Sequence, residues 1–285
     1  MTEQEKNEIQ EGIYFGIIGL FDLPVLLYED IANKFHSSFY KGYGKRLTTT
    51  LFTDPQYQKI TDFIINLNEF SAGKLFNYVK DTQNEIFDKS GNVRPFNEFK
   101  KLATDVDELY NKTWLEVERE NIISQAQSAR DWQRFESEKG DLPYLRYITA
   151  GDERVRESHR ALDSLTRPVN DTIWDSISIP NGWRCRCTIQ QVGKEGKVTT
   201  DRQMNVRVEK ENARIRKINK RKGKEVIPEI KSLSEIPNKL FRFNPAKEGY
   251  IYKIRGNNKH PFFKIEEEFN PLRDRNFNMD KNFGL

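Results

Sequence analysis

Between Phe99 and Trp132 the apolar residues recur at steps of three and four. Phe99, Leu102, Val106, Leu109, Thr113 and Val117 come first, and Ile122, Ala126, Ala129 and Trp132 continue the series. That period belongs to an α-helix with one apolar stripe, so Pro95–Glu138 is predicted as one long helix or two in series, with Pro95 at its start. The stripe includes small and polar positions, which favours core packing over a coiled coil. Upstream, residues 1–94 read as a helical region rich in aromatic side chains. Asp22-Leu23-Pro24 and Asp54-Pro55 mark helix starts or turns, and Lys41–Lys45 and Ser90-Gly91-Asn92 mark breaks. Gly12–Tyr28 is apolar, but Asp22 and Pro24 interrupt it and it is short for a membrane span, so it reads as a buried or partner-facing element. The acidic, polar start at Met1–Glu5 does not read as a leader, and no membrane association is expected.

Downstream the period changes. Gly140-Asp141-Leu142-Pro143 ends the helix, and the aromatic and β-branched run Tyr144–Thr149 reads as a strand. After a turn at Ala150-Gly151, Asp152 is placed as the N-cap of a helix over Glu153–Leu162. Thr166–Asp171 reads as a loop, Ile179-Pro180-Asn181-Gly182 as a tight turn, and Arg186–Val192 as a short strand. Residues 193–224 hold twelve basic and four acidic side chains, and Asn212–Lys224 has seven basic residues and no acid. This stretch is a basic linker or arm, or a positively charged helix end. Residues 225–285 form a small C-terminal extension. In it Tyr250–Ile254 reads as a strand, His260–Phe263 as a turn into another short element, and the last fifteen or so residues as charged and peripheral. The fold class is α+β, with a helix-rich region at 1–94 followed by a small mixed α/β domain at 95–192. At 285 residues, with 36% hydrophobic and 32% charged side chains, the composition is that of a soluble, globular chain.

Segment 144–192 concentrates the chemistry. Cys185 and Cys187 are the two cysteines and stand one residue apart, poorly placed to bridge each other, so no disulfide framework is expected. His159, Cys185 and Cys187 would supply three zinc ligands, and Asp152, Asp163 or His260 a fourth. Arg184 and Arg186 beside the thiols favour thiolates. Against a metal, strand alternation would point the two thiols to opposite faces, leaving a packed structural corner as the other reading. Asp152 and Arg156, four apart, suggest a local ion pair, and Arg156 and His159 would share a helix face. Trp174 and Trp183 read as the packing that holds the His and Cys regions together. No nucleophile elbow, phosphate loop or HExxH is present, so no catalytic residue is assigned. A metal-dependent nuclease or hydrolase using the His159/Cys185/Cys187 region is the alternative.

Tyr147-Ile148-Thr149, then Asp152-Glu153-Arg154-Val155-Arg156-Glu157-Ser158-His159 and Leu162-Asp163, resemble the first half of the Mu gpF-like head morphogenesis domain. Trp174 and Ile179-Pro180-Asn181-Gly182-Trp183-Arg184-Cys185-Arg186-Cys187-Thr188 resemble its second half. Arg154, Arg156, Asp163, Trp174 and Trp183 are the motif positions beyond the metal candidates. Where many members carry Gly after the Leu-Asp pair this chain has Ser164, which argues against a left-handed turn there. The resemblance implies a minor head protein of a tailed phage or prophage, found in the virion or procapsid and, during assembly, in the host cytoplasm. Its implied partners are the portal and the major capsid or scaffolding protein. It also implies a His/Cys metal arrangement, for which Zn2+ is the candidate ion, without an established reaction. Arg214, Arg216, Lys217, Lys220, Arg221 and Lys222 are the candidate contacts to double-stranded DNA, nonspecific and through phosphates.

Overall fold

A computed structural model describes residues 1–222 and 227–264, apart from the Lys222 side chain. Lys224 and the charged tail beyond Lys264 lie outside the described residues. The architecture is α+β. Its helices are α1 (Glu3–Tyr14), α2 (Val25–Tyr43), α3 (Tyr57–Asn84), α4 (Phe96–Glu108), α5 (Leu115–Glu138), α6 (Glu157–Arg160), α7 (Trp174–Ile177), α8 (Asp201–Lys222) and α9 (Pro245–Glu248). The strands are β1 (Tyr144–Ile148), β2 (Thr166–Pro168) and β3 (Thr188–Val192). Among the described residues no helix is long and apolar enough to cross a membrane.

The chain divides into two compact units. The first comprises Met1–Lys34, Ile65–Glu116 and the chain from Tyr252 onward. In it Thr2 caps α1 reciprocally with Glu5, and Tyr14 packs against Phe96 and Phe99 while its hydroxyl donates to the Arg94 carbonyl at 2.7 Å. Phe70 stacks on Tyr252 at 3.8 Å, and His260 and Phe262 complete an aromatic cluster. Tyr250–Ile254, expected as a strand, is not one. The Asn66 side chain takes the place of a strand partner, donating to the Tyr252 carbonyl and accepting from its N–H, each at 2.9 Å. With its backbone groups satisfied by a helix side chain, Tyr252 needs no ladder.

The predicted stripe of the long helix needs correction at its centre. Leu109 is 41% exposed, and Thr113 is exposed too. Leu109–Trp114 forms a π-helical turn between α4 and α5, which inserts one residue and rotates the face. The buried positions run Phe99, Ala103, Asp107, Tyr110 and then Leu115, and the step of five falls at the π turn.

The second unit comprises Phe35–Ile64 and Val117–Ile251. Its sheet is antiparallel with the order β2-β1-β3, Tyr147 pairing with Ile189 and Arg146 with Thr166. Leu145 and Tyr147 point inward, as the period of a half-buried strand requires, onto Trp132, Phe135, Leu162, Leu165, Trp174 and Ile177. Trp174 is fully buried, and its Nε1–H donates to the Pro168 carbonyl at 2.8 Å. The stretch expected as a basic linker or arm, or as a positively charged helix end, contains α8, whose Met204 and Val208 pack against this core and whose Ile215 is buried. Three apolar positions along a largely polar and charged helix help to dock it, a signal that the basic composition masks.

Candidate metal centre

The site is assembled around the end of β1. Glu153–Leu162 is not one helix: residues 152–155 turn, α6 begins at Glu157, and Arg156 holds the N-cap position. Asp152 instead accepts from the Arg154 N–H at 3.1 Å, closing a local turn, as a short carboxylate can. The chain reverses after α6 through Ser164, which does adopt a left-handed conformation (φ 56°), contrary to the expectation from its side chain. Hydrogen bonds on both sides compensate the strain. The Ser164 N–H donates to the Tyr147 carbonyl at 2.8 Å, and the Arg207 guanidinium donates to the carbonyls of Ala161 and Asp163 at 2.8 and 2.7 Å. Asp163 is engaged here through Oδ1, which accepts from the N–H and hydroxyl of Thr149 at 2.8 Å each.

The second arm of the site is the turn after Pro180. Asn181 is buried, and its side-chain carbonyl accepts from the Tyr147 hydroxyl at 2.7 Å while its amide donates to the Ser178 carbonyl at 2.8 Å. Arg184 takes a left-handed conformation (φ 55°), and the Cys185 N–H closes back on the Gly182 carbonyl at 3.1 Å. Cys185 and Cys187 therefore precede β3 and lie on irregular backbone. The alternation that would have sent their thiols to opposite faces does not operate, and both thiols meet the same imidazole. The Cys185 and Cys187 Sγ atoms lie 3.8 and 3.7 Å from His159 Nδ1, and the three donors are all within 4.8 Å of one another.

His159 and Cys187 are buried and Cys185 is half-buried. The hydrogen bond from the Cys187 thiol pulls the Cys185 thiol well below its usual range, and His159 reinforces it. The same hydrogen bond, with burial, pushes Cys187 up. Burial, reinforced by the neighbouring cysteines, raises the Tyr147 hydroxyl, so Tyr147 stays a neutral hydrogen-bond donor beside them. Tyr147 and Asn181 were missed as site residues. Tyr147 looked like any inward aromatic of a strand, and Asn181 like any turn residue.

Asp152 is not part of the cluster. Its carboxylate forms a bidentate pair with Arg186, at 2.6 and 2.7 Å, instead of the expected pair with Arg156. That pair, above all the Arg186 hydrogen bond, holds the Asp152 carboxyl below the usual carboxylate range. Arg156 donates to the Trp183 carbonyl at 2.6 Å, and Arg184 pairs with Glu120 at 3.0 Å. Trp183 stands edge-on to Phe241 at 5.1 Å. His260 belongs to the aromatic cluster of the first unit, its Nδ1 accepting from the Phe262 N–H at 3.3 Å.

The donor set fits zinc. Zn–S bonds of about 2.3 Å and Zn–N bonds of about 2.0–2.1 Å set tetrahedral N···S edges of about 3.6 Å. The two observed N···S separations fall within 0.2 Å of that edge, so His159 Nδ1 and the two sulfurs could bind one ion with little movement. A bound zinc would cross-link α6 to the turn before β3 and supply Lewis acidity at a fourth position, which the described residues leave without a carboxylate or imidazole ligand.

Fold and cluster together define an α+β protein with a compact imidazole–dithiol centre between a short helix and an edge strand. Residues 92–190 match the family described as "Phage Mu protein F like protein". The chain is 36% identical over 76 residues to the "Mu-like prophage FluMu F protein" of Haemophilus influenzae, covering 27% of this chain and 18% of that relative. It is 35% identical over 48 residues to the "Putative capsid assembly protein F" of Escherichia phage Mu, covering 17% of this chain and 11% of that relative. The chain thus spans less than a fifth of the length of either curated relative. No solved structure matches.

Of the candidate DNA contacts, Arg214 pairs with Glu211, and Arg216 pairs with Glu229 at 2.8 Å. Lys217, Lys220 and Arg221 are exposed on the last turns of α8.

Proposed function

We propose that the chain is a minor head component of a tailed phage or prophage, acting in procapsid assembly at the portal, with His159, Cys185 and Cys187 holding a structural zinc ion. The observation that carries the reading is that the imidazole–dithiol cluster lies within the matched segment: His159, Cys185 and Cys187, far apart along it, converge in space. The name of the phage Mu relative, a capsid assembly protein, points the same way. Its partners would be the portal and the major capsid or scaffolding protein, and its location the virion or procapsid, after synthesis in the host cytoplasm. Fractionation of assembled heads tests this. The protein should co-purify with portal-containing procapsids, and its absence from every head fraction would sink the assembly role.

The end of α8 supports a DNA role in packaging or ejection. Lys217, Lys220 and Arg221 offer three exposed cations to phosphates, so replacing all three with Gln should flatten the salt dependence of nonspecific duplex binding by about 2–3 log-log units. An unchanged slope would remove DNA from the proposal. A metal-dependent hydrolase is the second reading, favoured by the fourth metal position. It needs a base: Asp152 is held by Arg186 through both oxygens, whereas Asp163 accepts from Thr149 through one oxygen. Nuclease or hydrolase activity that disappears in His159→Gln would bring it forward.

A further inference from the structure

The His159/Cys185/Cys187 cluster forms the floor of a small open cavity of about 20 Å³, whose lining includes Arg154, Arg156, Arg184 and Arg186. Four arginines in so small a lining call for a charge count. Asp152 neutralises Arg186, and Glu120 neutralises Arg184. Arg156 spends one donor on the Trp183 carbonyl, a neutral group, and keeps the rest of its fork. The Arg154 side chain makes no hydrogen bond or close ion pair among the described residues, although the Asp152 charge is near enough to be felt. Two thiolates would cancel a bound dication on the floor. With zinc bound, Arg154 and Arg156 are therefore the two lining arginines that hold no carboxylate in a close ion pair.

We propose that this mouth is a phosphate-binding site, in which Arg154 and Arg156 hold the phosphate group and one of its oxygens reaches into the cavity above the cluster. The cavity admits about one oxygen-sized group and no more, which suits the terminal oxygen of an oxyanion whose remaining atoms stay outside. Guanidinium forks match phosphate oxygens in pairs, and two of them match the charge of a phosphate better than that of a single carboxylate. The phosphate could be free or part of a nucleic-acid backbone; the chemistry of recognition is the same. This deepens the metal-centre reading, since the oxygen would approach the fourth position of that ion, but the arginines stand on their own geometry.

Calorimetric titration of the full chain with inorganic phosphate, in zinc-loaded and metal-free forms, tests the site. Saturable binding is expected in the zinc-loaded form, weakened about tenfold by Arg154→Gln and more by Arg154→Gln with Arg156→Gln. A short duplex that displaces phosphate through the same arginines identifies the backbone as the source; a duplex that does not compete leaves free phosphate. Failure to take up zinc, with arginine-dependent phosphate binding retained in the metal-free form, would sink the metal reading and support the anion site. Zinc uptake without phosphate binding would overturn the anion site alone. So would phosphate binding indifferent to both substitutions, or acetate bound as tightly as phosphate.

Discussion

Lowering the pH should destabilise the first unit through His260. Its ring lies in the cluster of Phe70, Tyr252 and Phe262, and burial pushes its pKa down to about 3, with the charges of Lys74 and Lys264 adding to the effect. Protonation would also destroy the Nδ1 acceptor that receives the Phe262 N–H. In the unfolded chain the imidazole takes a proton near pH 6.5. The unfolded state therefore binds more protons below that pH, and the stability associated with neutral His260 is complete above about 6.5 and declines as pH falls toward 3. Each pH unit in that window costs about 1.4 kcal/mol, so moving from pH 7 to pH 5 should remove about 2 kcal/mol. Urea denaturation of the wild type and His260→Gln at both pH values isolates the effect, because Gln can accept the same N–H without titrating. The wild type should lose about 2 kcal/mol more than the variant between pH 7 and 5. Equal losses in the two proteins would refute the assignment.

Propensity alone says that Gly42→Ala should stabilise α2 by up to about 1 kcal/mol. A Cβ there would sit 2.3 Å from the Ile123 carbonyl oxygen and 2.9 Å from the Ala126 Cβ, so the variant should instead lose about 1–3 kcal/mol in urea denaturation. Trp174→Ala, which empties the centre of the second unit's core and leaves the Pro168 carbonyl only the Asp171 N–H at 3.0 Å, should cost about 3–5 kcal/mol by the same assay. Metal analysis of purified protein should find stoichiometric zinc in the wild type and in Asp152→Asn, but not in His159→Gln or Cys187→Ser. Zinc retained in Cys187→Ser would contradict the three-donor site. Zinc uptake should weaken as pH falls, because protons compete for the two sulfurs.

Much of the helical framework was legible because it is local. The breaks at Lys41–Lys45 and Ser90-Gly91-Asn92 coincide with the end of α2 and with Gly91 at φ 83°, and a 3.6-residue period located the run from Phe96 to Glu138. The π turn at Leu109–Trp114 was not legible, since one inserted residue leaves the average period almost intact while moving Leu109 to the surface. Likewise the sequence leaves α8 open between an arm and a charged helix end, because Lys and Arg outnumber the few apolar side chains that dock it. The identities of the cluster residues were readable, but not their arrangement. C-x-C on a strand would have separated the thiols; on the irregular turn through Arg184 the thiols converge.

The division has one physical cause. By itself the sequence determined the α+β class, the helix and strand periods, the turns around Gly and Pro, and the set of side chains able to bind a metal or carry the family resemblance. These follow from preferences spanning a few residues. Only the tertiary structure decided that Asp152 pairs with Arg186 and not with Arg156, that Tyr147 and Asn181 frame the thiols, and that Ser164 is held left-handed by β1 and α8. Those choices rest on partners 17 to 46 residues away along the chain, where no local period can reach.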